Sequence, residues 1–186
     1  MSTSAILNDS RAHMDKTVKA LLHEFSTVRT GRASGAILEK ISIDYYGTQT
    51  PISQIAGIKT PEAQLLLIEP WDKSALSAIE KAIMASDLGI TPNNDGSVIR
   101  LPFPPLTEER RKDLVKVCKG YSEDARIGIR NIRREANAKL TRAEKDAEIS
   151  EDDMRRAETD IQKLTDAHIK EIDDSLKRKE AEIMEV

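Results

Sequence analysis

From the N-terminus, Leu7, Met14, Val18, Leu21, Phe25 and Val28 recur at steps of three, four or seven, with Arg11 at one seam position. That spacing places them on one face of a helix and predicts an amphipathic segment ending near Thr30-Gly31. The period then changes. Ile41-Ser42-Ile43-Asp44-Tyr45 alternates as a strand does, Tyr46-Gly47-Thr48 can turn, and Leu65-Leu66-Leu67-Ile68 reads as a buried strand. Asp72 is placed to cap a helix with Leu76, Ile79 and Ile83 inward and Gly89 as its stop. Asn94-Asp95-Gly96 predicts a turn, and Ser97-Val98-Ile99-Arg100-Leu101 a strand after it. Leu101-Pro102-Phe103-Pro104-Pro105 ends that strand, because proline fixes φ and removes a donor, so neither helix nor central strand continues there.

Thr107 then offers an N-cap, with Glu108 and Glu109 at the positive end of the helix dipole. The stripe that follows, Leu114, Cys118, Tyr121, Ala125, Ile129, Ile132, Ala136, Leu140, Ala143 and Ala147, predicts one straight helix of roughly 60 Å. Ser150 with Glu151, Asp152 and Asp153 marks a reversal and restart. A third stripe runs through Met154, Ala157, Ile161, Leu164, His168, Ile172, Leu176 and Ile183. None of the three helices can bury its stripe alone, so they are expected to close as a three-helix bundle of residues 1–30 and 106–186. Residues 31–105 are then an inserted β/α/β domain, and the fold class is α+β. The chain must pass between the domains twice, at Thr30-Gly31 and at Pro102, Pro104 and Pro105. Glycine frees one connection and proline stiffens the other, as in a paired hinge.

Composition narrows the function classes. Of 186 residues, 33% are charged and only 3% aromatic, a balance of long helices rather than an aromatic-rich sandwich. Cys118 is the only cysteine, which excludes an internal disulfide and a multi-cysteine zinc site. The N-terminal residues are too charged for a signal peptide and no apolar run reaches membrane length, so a cytoplasmic protein is expected. No glycine loop for phosphate, nucleophile elbow or metal-ligand pair stands out, and His13, His23 and His168 lack converging partners. Neither enzyme activity nor a metal or other cofactor is expected.

With a formal charge of only −3, polyanion binding needs local segregation of charge. The long helix that starts after Thr107, the second of the bundle, supplies it: Lys112, Lys119, Arg126 and Arg133 recur every seven residues with Arg130 beside them, about 90–100° from the apolar stripe. The row extends about 32 Å, enough to follow several phosphates. Arg130 and Arg133 have no acid three or four residues away, and stacked like charges cost a few tenths of a kcal/mol per pair. The row fits a solvated face, an acidic face of another helix, or a nucleic acid. A helical adaptor for proteins would explain three long helices but not the inserted β-rich unit or the aligned arginines.

Several segments resemble the ribosome recycling factor family in order along nearly the whole chain: Val28-Arg29-Thr30-Gly31-Arg32-Ala33-Ser34, Tyr45-Tyr46-Gly47-Thr48, Lys81-Ala82-Ile83-Met84-Ala85-Ser86-Asp87-Leu88-Gly89, Pro104-Pro105-Leu106-Thr107-Glu108-Glu109-Arg110-Arg111-Lys112, Arg130-Asn131-Ile132-Arg133-Arg134 and Glu148-Ile149-Ser150-Glu151-Asp152-Asp153. The resemblance implies a tRNA-like L shape, a monomer that binds the post-termination ribosome with its bundle on large-subunit rRNA at the intersubunit face. It implies elongation factor G as partner, using GTP to separate the subunits. It also implies that Arg29, Arg32, Arg111, Arg130 and Arg133 contact RNA, joining Lys112, Lys119 and Arg126 of the row.

Overall fold

The computed structural model describes residues 2–185. By packing, the chain divides into two units: residues up to Phe25 with Lys116–Glu180, and Ser26–Val115 with the segment from Ala181. The first unit is helical. Helix α1 (Thr3–Ser26) starts at Ser2, whose Oγ accepts the Ala5 N–H at 3.1 Å. Its buried seam is Ile6, Ser10, Met14, Val18, Leu21 and Phe25. Arg11 is exposed, so the polar seam position is Ser10, whose hydroxyl donates to the Ile6 carbonyl at 2.8 Å and brings no charge inside. The helix also stops at Ser26, before the expected Thr30-Gly31, although Val28 beyond it is still buried.

Helix α3 (Glu108–Lys145) begins at Thr107, whose Oγ1 accepts the Arg110 N–H at 3.1 Å. Helix α4 (Glu151–Met184) begins at Ser150, whose Oγ accepts the Asp153 N–H at 3.0 Å. Ile6 of α1, Ala136 and Leu140 of α3, and Ala157 and Ile161 of α4 bury against one another, so the three stripes share one core. Cys118 is fully buried, and burial pushes its thiol up to about 11, which makes it packing rather than chemistry. His168 is likewise packed and bonded, with Nδ1 2.7 Å from the Leu164 carbonyl and Nε2 2.7 Å from Asp15 Oδ1.

Ala147 departs from the expected stripe. It is exposed with φ +55° in the turn between α3 and α4, where its N–H bonds Glu144 O and the Glu148 N–H bonds Ala143 O. These two bonds form a Schellman cap with alanine where glycine is the usual residue. Because the left-handed conformation costs an L-residue about 1–2 kcal/mol and glycine loses up to about 1 kcal/mol of that in unfolded-chain entropy, Ala147→Gly should stabilise the bundle by roughly 0.5–1 kcal/mol. Urea denaturation measures this, and an unchanged or lowered midpoint would contradict it.

The second unit carries the strands. β1 (Ser42–Tyr45) and β2 (Thr48–Pro51) form a two-stranded hairpin closed by Tyr46 and Gly47, both at positive φ as a type I′ turn needs. β3 (Ala56–Glu62), β4 (Leu65–Pro70), β5 (Asn93–Asn94) and β6 (Ile99–Pro102) form an antiparallel sheet in the order β3-β4-β6-β5. Helix α2 (Leu76–Ala85) follows a short 3₁₀ turn capped by Asp72, which accepts the Ser74 N–H at 2.9 Å. Leu76, Ile79 and Ile83 of α2 share a core with Leu66 and Ile68 of β4, Ile99 and Leu101 of β6, and Phe103. The helix ends at Ala85, where the Ser86 hydroxyl donates to the Ile83 carbonyl at 2.6 Å; Gly89, at φ +67°, shapes the following turn instead of stopping the helix.

β6 runs one residue into the proline segment. Pro102 pairs with Leu65 as the last residue of an interior strand, and the Phe103 N–H still donates to Gln64 O at 2.7 Å. The stretch free of the sheet is therefore Pro104-Pro105, and Pro102 is sheet rather than linker. On the opposite side, Asp95 closes the turn before β6. Its carboxylate accepts the Val98 and Ser97 N–H groups and pairs with Arg100, and these contacts, in that order, hold its pKa down to about 2. A depressed folded pKa stabilises above the unfolded value near 3.9 and is lost as pH falls through the folded one. Wild-type protein should accordingly lose an increment of stability from about pH 4 to 2 that Asp95→Asn lacks, measurable by thermal melts; parallel pH profiles would contradict this.

Candidate nucleic-acid interface

The basic residues singled out in the sequence fall into two sets, one in each unit. In the helical unit, α3 presents Lys119, Arg126, Arg130 and Arg133, but the structure does not leave them equally free. Arg126 is turned inward: Nε and Nη2 reach Asp173 Oδ1 on α4 at 2.9 and 2.7 Å, and Nη1 reaches Glu123 at 3.1 Å. Burial pulls its pKa down, yet the hydrogen bonds from Asp173 and Glu123 outweigh that, and the net shift is upward. With its side chain 20% exposed, Arg126 ties α3 to α4.

Arg130 has a carboxylate partner after all. Glu123 lies seven residues earlier, two helical turns away, and its Oε1 is 3.4 Å from Arg130 Nη1. The absence of acids at three and four residues did not mean absence on the face, because a long arginine spans a second turn. The pair is solvent-exposed and contributes at most about 1 kcal/mol, so a phosphate can compete for the guanidinium. Arg133 has only a neutral partner, Gln162 Oε1 at 3.3 Å, and Lys119 is exposed with no ion pair among the described residues. Lys119, Arg130 and Arg133 are thus the members of the row able to meet an external anion. Glu123 was legible as a neighbour three residues before Arg126; Asp173 and Gln162 were not, since only the placement of α4 brings them there.

The other set lies in the β-rich unit, where the two connecting segments meet. The Arg29 guanidinium donates through Nη2 to the Pro104 carbonyl and sits 5.5 Å above the centre of the Phe103 ring. Burial, then the charge of Arg110, push its pKa down. Arg29 Nε and Arg111 Nε are both buried with no hydrogen-bond partner among the described residues. Arg32 is exposed, and its N–H reaches Thr30 Oγ1 at 3.3 Å. Together Thr30, Gly31, Arg32, Pro105, Leu106 and Arg111 line a cavity of about 700 Å³ with Gln64, Ala63, Glu182 and Glu185. Lys112 at the start of α3 is exposed and paired with Glu108 at 3.4 Å. Gly31 is not at positive φ, and nothing lies within 4 Å of a Cβ built on it, so this conformation does not itself demand glycine.

The basic residues thus lie in two groups on a chain of net charge −3, one along a helix and one, with Glu182 and Glu185 beside it, at the double connection. The profile of the family described as ribosome recycling factor matches residues 21–184. The chain belongs to the ribosome recycling factor family. It is 57% identical to the ribosome-recycling factor of Geobacillus sp. (strain WCH70) over 181 residues, 97% of this chain and 98% of that one. It is 53% identical to that of Bacillus licheniformis over the full length of both. Among solved structures, a solution structure of the ribosome recycling factor is similar with a TM-score of 0.77 and 42% identity, covering 100% of this chain and 99% of the other. A T. thermophilus ribosome recycling factor, from models with the E. coli elongation factor G bound to the E. coli post-termination complex, is similar with a TM-score of 0.69 and 45% identity over the whole of both chains. The helical bundle with a β/α/β unit is therefore the fold of this family, as expected from the periodicities, and the family places the chain in translation.

Proposed function

We propose that this protein binds the post-termination ribosome and, with elongation factor G and GTP, separates the subunits for a new round of translation. The observation that carries this reading is the full-length likeness to a recycling factor bound, with elongation factor G, to the post-termination complex. The charge distribution supports it: Lys119, Arg130 and Arg133 on α3 are free enough to exchange weak surface contacts for rRNA phosphates of the large subunit. Arg32, Arg111 and Lys112 extend the basic surface in the second unit, while Arg29 and Arg126 act chiefly by holding local structure. The action needs no catalysis by this chain; GTP hydrolysis belongs to elongation factor G. The site of action is the cytoplasm, and no described helix is long and apolar enough to cross a membrane.

In this reading residues 1–30 and 106–186 grip RNA, while residues 31–105 move on Thr30-Gly31 and Pro104-Pro105. Subunit splitting of post-termination ribosomes, followed by light scattering with this protein, elongation factor G and GTP omitted in turn, tests the proposal. Splitting that persists without this protein would refute it. Gly31→Pro fixes φ at one connection and should slow splitting while large-subunit binding stays near wild type. A normal splitting rate would remove that connection from the mechanism.

A further inference from the structure

Asp95-Gly96 is the only Asp-Gly pair in the chain, and there is no Asn-Gly pair. Aspartate before glycine is prone to cyclise to a succinimide, because no side chain on glycine hinders attack of its backbone nitrogen on the aspartyl carboxyl carbon. The turn before β6 cannot do without this pair. Gly96 lies at φ +91°, where other residues are strained, and the Asp95 carboxylate is needed to take the Ser97 and Val98 N–H groups at 3.0 and 2.9 Å. Both residues are exposed, so water reaches them.

Each reacting group is nevertheless tied down. The Asp95 carboxylate is fixed through Oδ1 by Ser97 and Val98 and through Oδ2 by Arg100 Nη1 at 2.7 Å. The Gly96 N–H donates to Asn94 Oδ1 at 2.7 Å, and the Asn94 amide is oriented in turn by donating through Nδ2 to Glu80 Oε2 on α2 at 2.7 Å. Ring closure needs a protonated carboxyl, whose hydroxyl can leave, and a nitrogen that gives up its proton. The bonds from Val98, Ser97 and Arg100 hold the Asp95 pKa down to about 2, which cuts the protonated fraction roughly sixtyfold relative to an ordinary aspartate.

We infer that Asp95-Gly96 is a masked isoaspartate site, unreactive while Glu80, Asn94 and Arg100 hold the turn and converted when the turn opens. In the reaction Gly96 N bonds to Asp95 Cγ, and the nitrogen's proton leaves with the carboxyl hydroxyl as water. Water then adds to the ring at the former backbone carbonyl and breaks its bond to Gly96 N, so the chain now runs through Cγ and its mass is unchanged. The main chain is one carbon longer there and the carboxylate sits on Cα, out of register with Ser97, Val98 and Arg100. The damage falls at the entry to β6, whose Ile99 and Leu101 are buried in the core of the β-rich unit. The product is of the class that isoaspartyl carboxyl methyltransferases accept, with S-adenosylmethionine as methyl donor.

The test ages full-length wild type, Arg100→Ala, Asn94→Ala and Ile99→Val in mildly acidic buffer at physiological temperature, each shown to be folded by a thermal melt. Wild type in guanidinium chloride is the unfolded reference. Isoaspartate at position 95 is measured by peptide mapping and by enzymatic methylation. Ile99→Val weakens the same strand without touching the polar contacts of the turn. Folded wild type should isomerise about tenfold or more slowly than the unfolded chain, because reaction is confined to the fraction of time the turn is open. Arg100→Ala and Asn94→Ala should age several-fold faster than folded wild type, and Ile99→Val should stay close to it. Equal rates in the folded and unfolded chain, or no isoaspartate in either, would overturn the proposal. So would an Arg100→Ala or Asn94→Ala protein that ages no faster than wild type, or an Ile99→Val protein that ages as fast as those two, since protection would then come from the strand and not from the contacts around the turn.

Discussion

Arg133→Ala is expected to weaken binding to the large ribosomal subunit by about 10- to 150-fold without unfolding the bundle. The guanidinium is only partly exposed, but its one side-chain partner among the described residues is the neutral Gln162 amide at 3.3 Å, so no described carboxylate is left unpaired when it goes. A charge-assisted contact to phosphate contributes about 1.5–3 kcal/mol, whereas a surface substitution shifts stability by under about 0.5 kcal/mol. Removing one phosphate contact should also make the slope of log affinity against log salt shallower by about one unit. Affinity equal to wild type across the salt series would make Arg133 a solvated residue. A fall in Tm of several degrees with affinity intact would make it a tie between α3 and α4. Arg126→Ala supplies the contrast, since it leaves Asp173 without its 2.7 Å partner and should act on stability first.

Phe103→Ala should separate the two units. Phe103 is 2% exposed in the core that joins α2 to the sheet, its N–H extends the ladder to Gln64, and its ring lies under Arg29. Truncating a buried phenylalanine costs about 3–5 kcal/mol, and here the cation–π contact goes with it. Hydrogen exchange should accelerate in β4 and β6 while the core amides of α4 keep their protection. If the α3 row carries large-subunit binding, as proposed, that binding should stay within a few-fold of wild type while subunit splitting is lost. Uniform loss of protection across both units would show a single cooperative fold, and loss of binding would move the RNA contacts into the β-rich unit.

Features governed by interactions two to four residues apart were legible in the sequence. Thr107 and Ser150 cap their helices, Asp72 caps the turn before α2, and Asp95-Gly96 closes the hairpin into β6, because each needs only a short polar side chain beside its own backbone. The three stripes gave the bundle, since period and face follow from helix geometry alone. Phase within a stripe was less certain: Arg11 and Ser10 are adjacent, and only the position of the other helices makes Ser10 the inward one.

Tertiary structure decided which cations remain available. Arg126 meets Asp173 across 47 residues, Arg29 meets Pro104 across 75, and His168 meets Asp15 across 153. A one-dimensional pattern gives the face on which an arginine emerges, but the distance to a carboxylate on another element depends on helix placement and rotamer. For that reason the sequence by itself determined the bundle, the β/α/β insertion and the existence of a basic row. Only the folded chain divided that row into a structural tie at Arg126, an exposed ion pair at Arg130, and the cations at Lys119 and Arg133 that meet no carboxylate among the described residues.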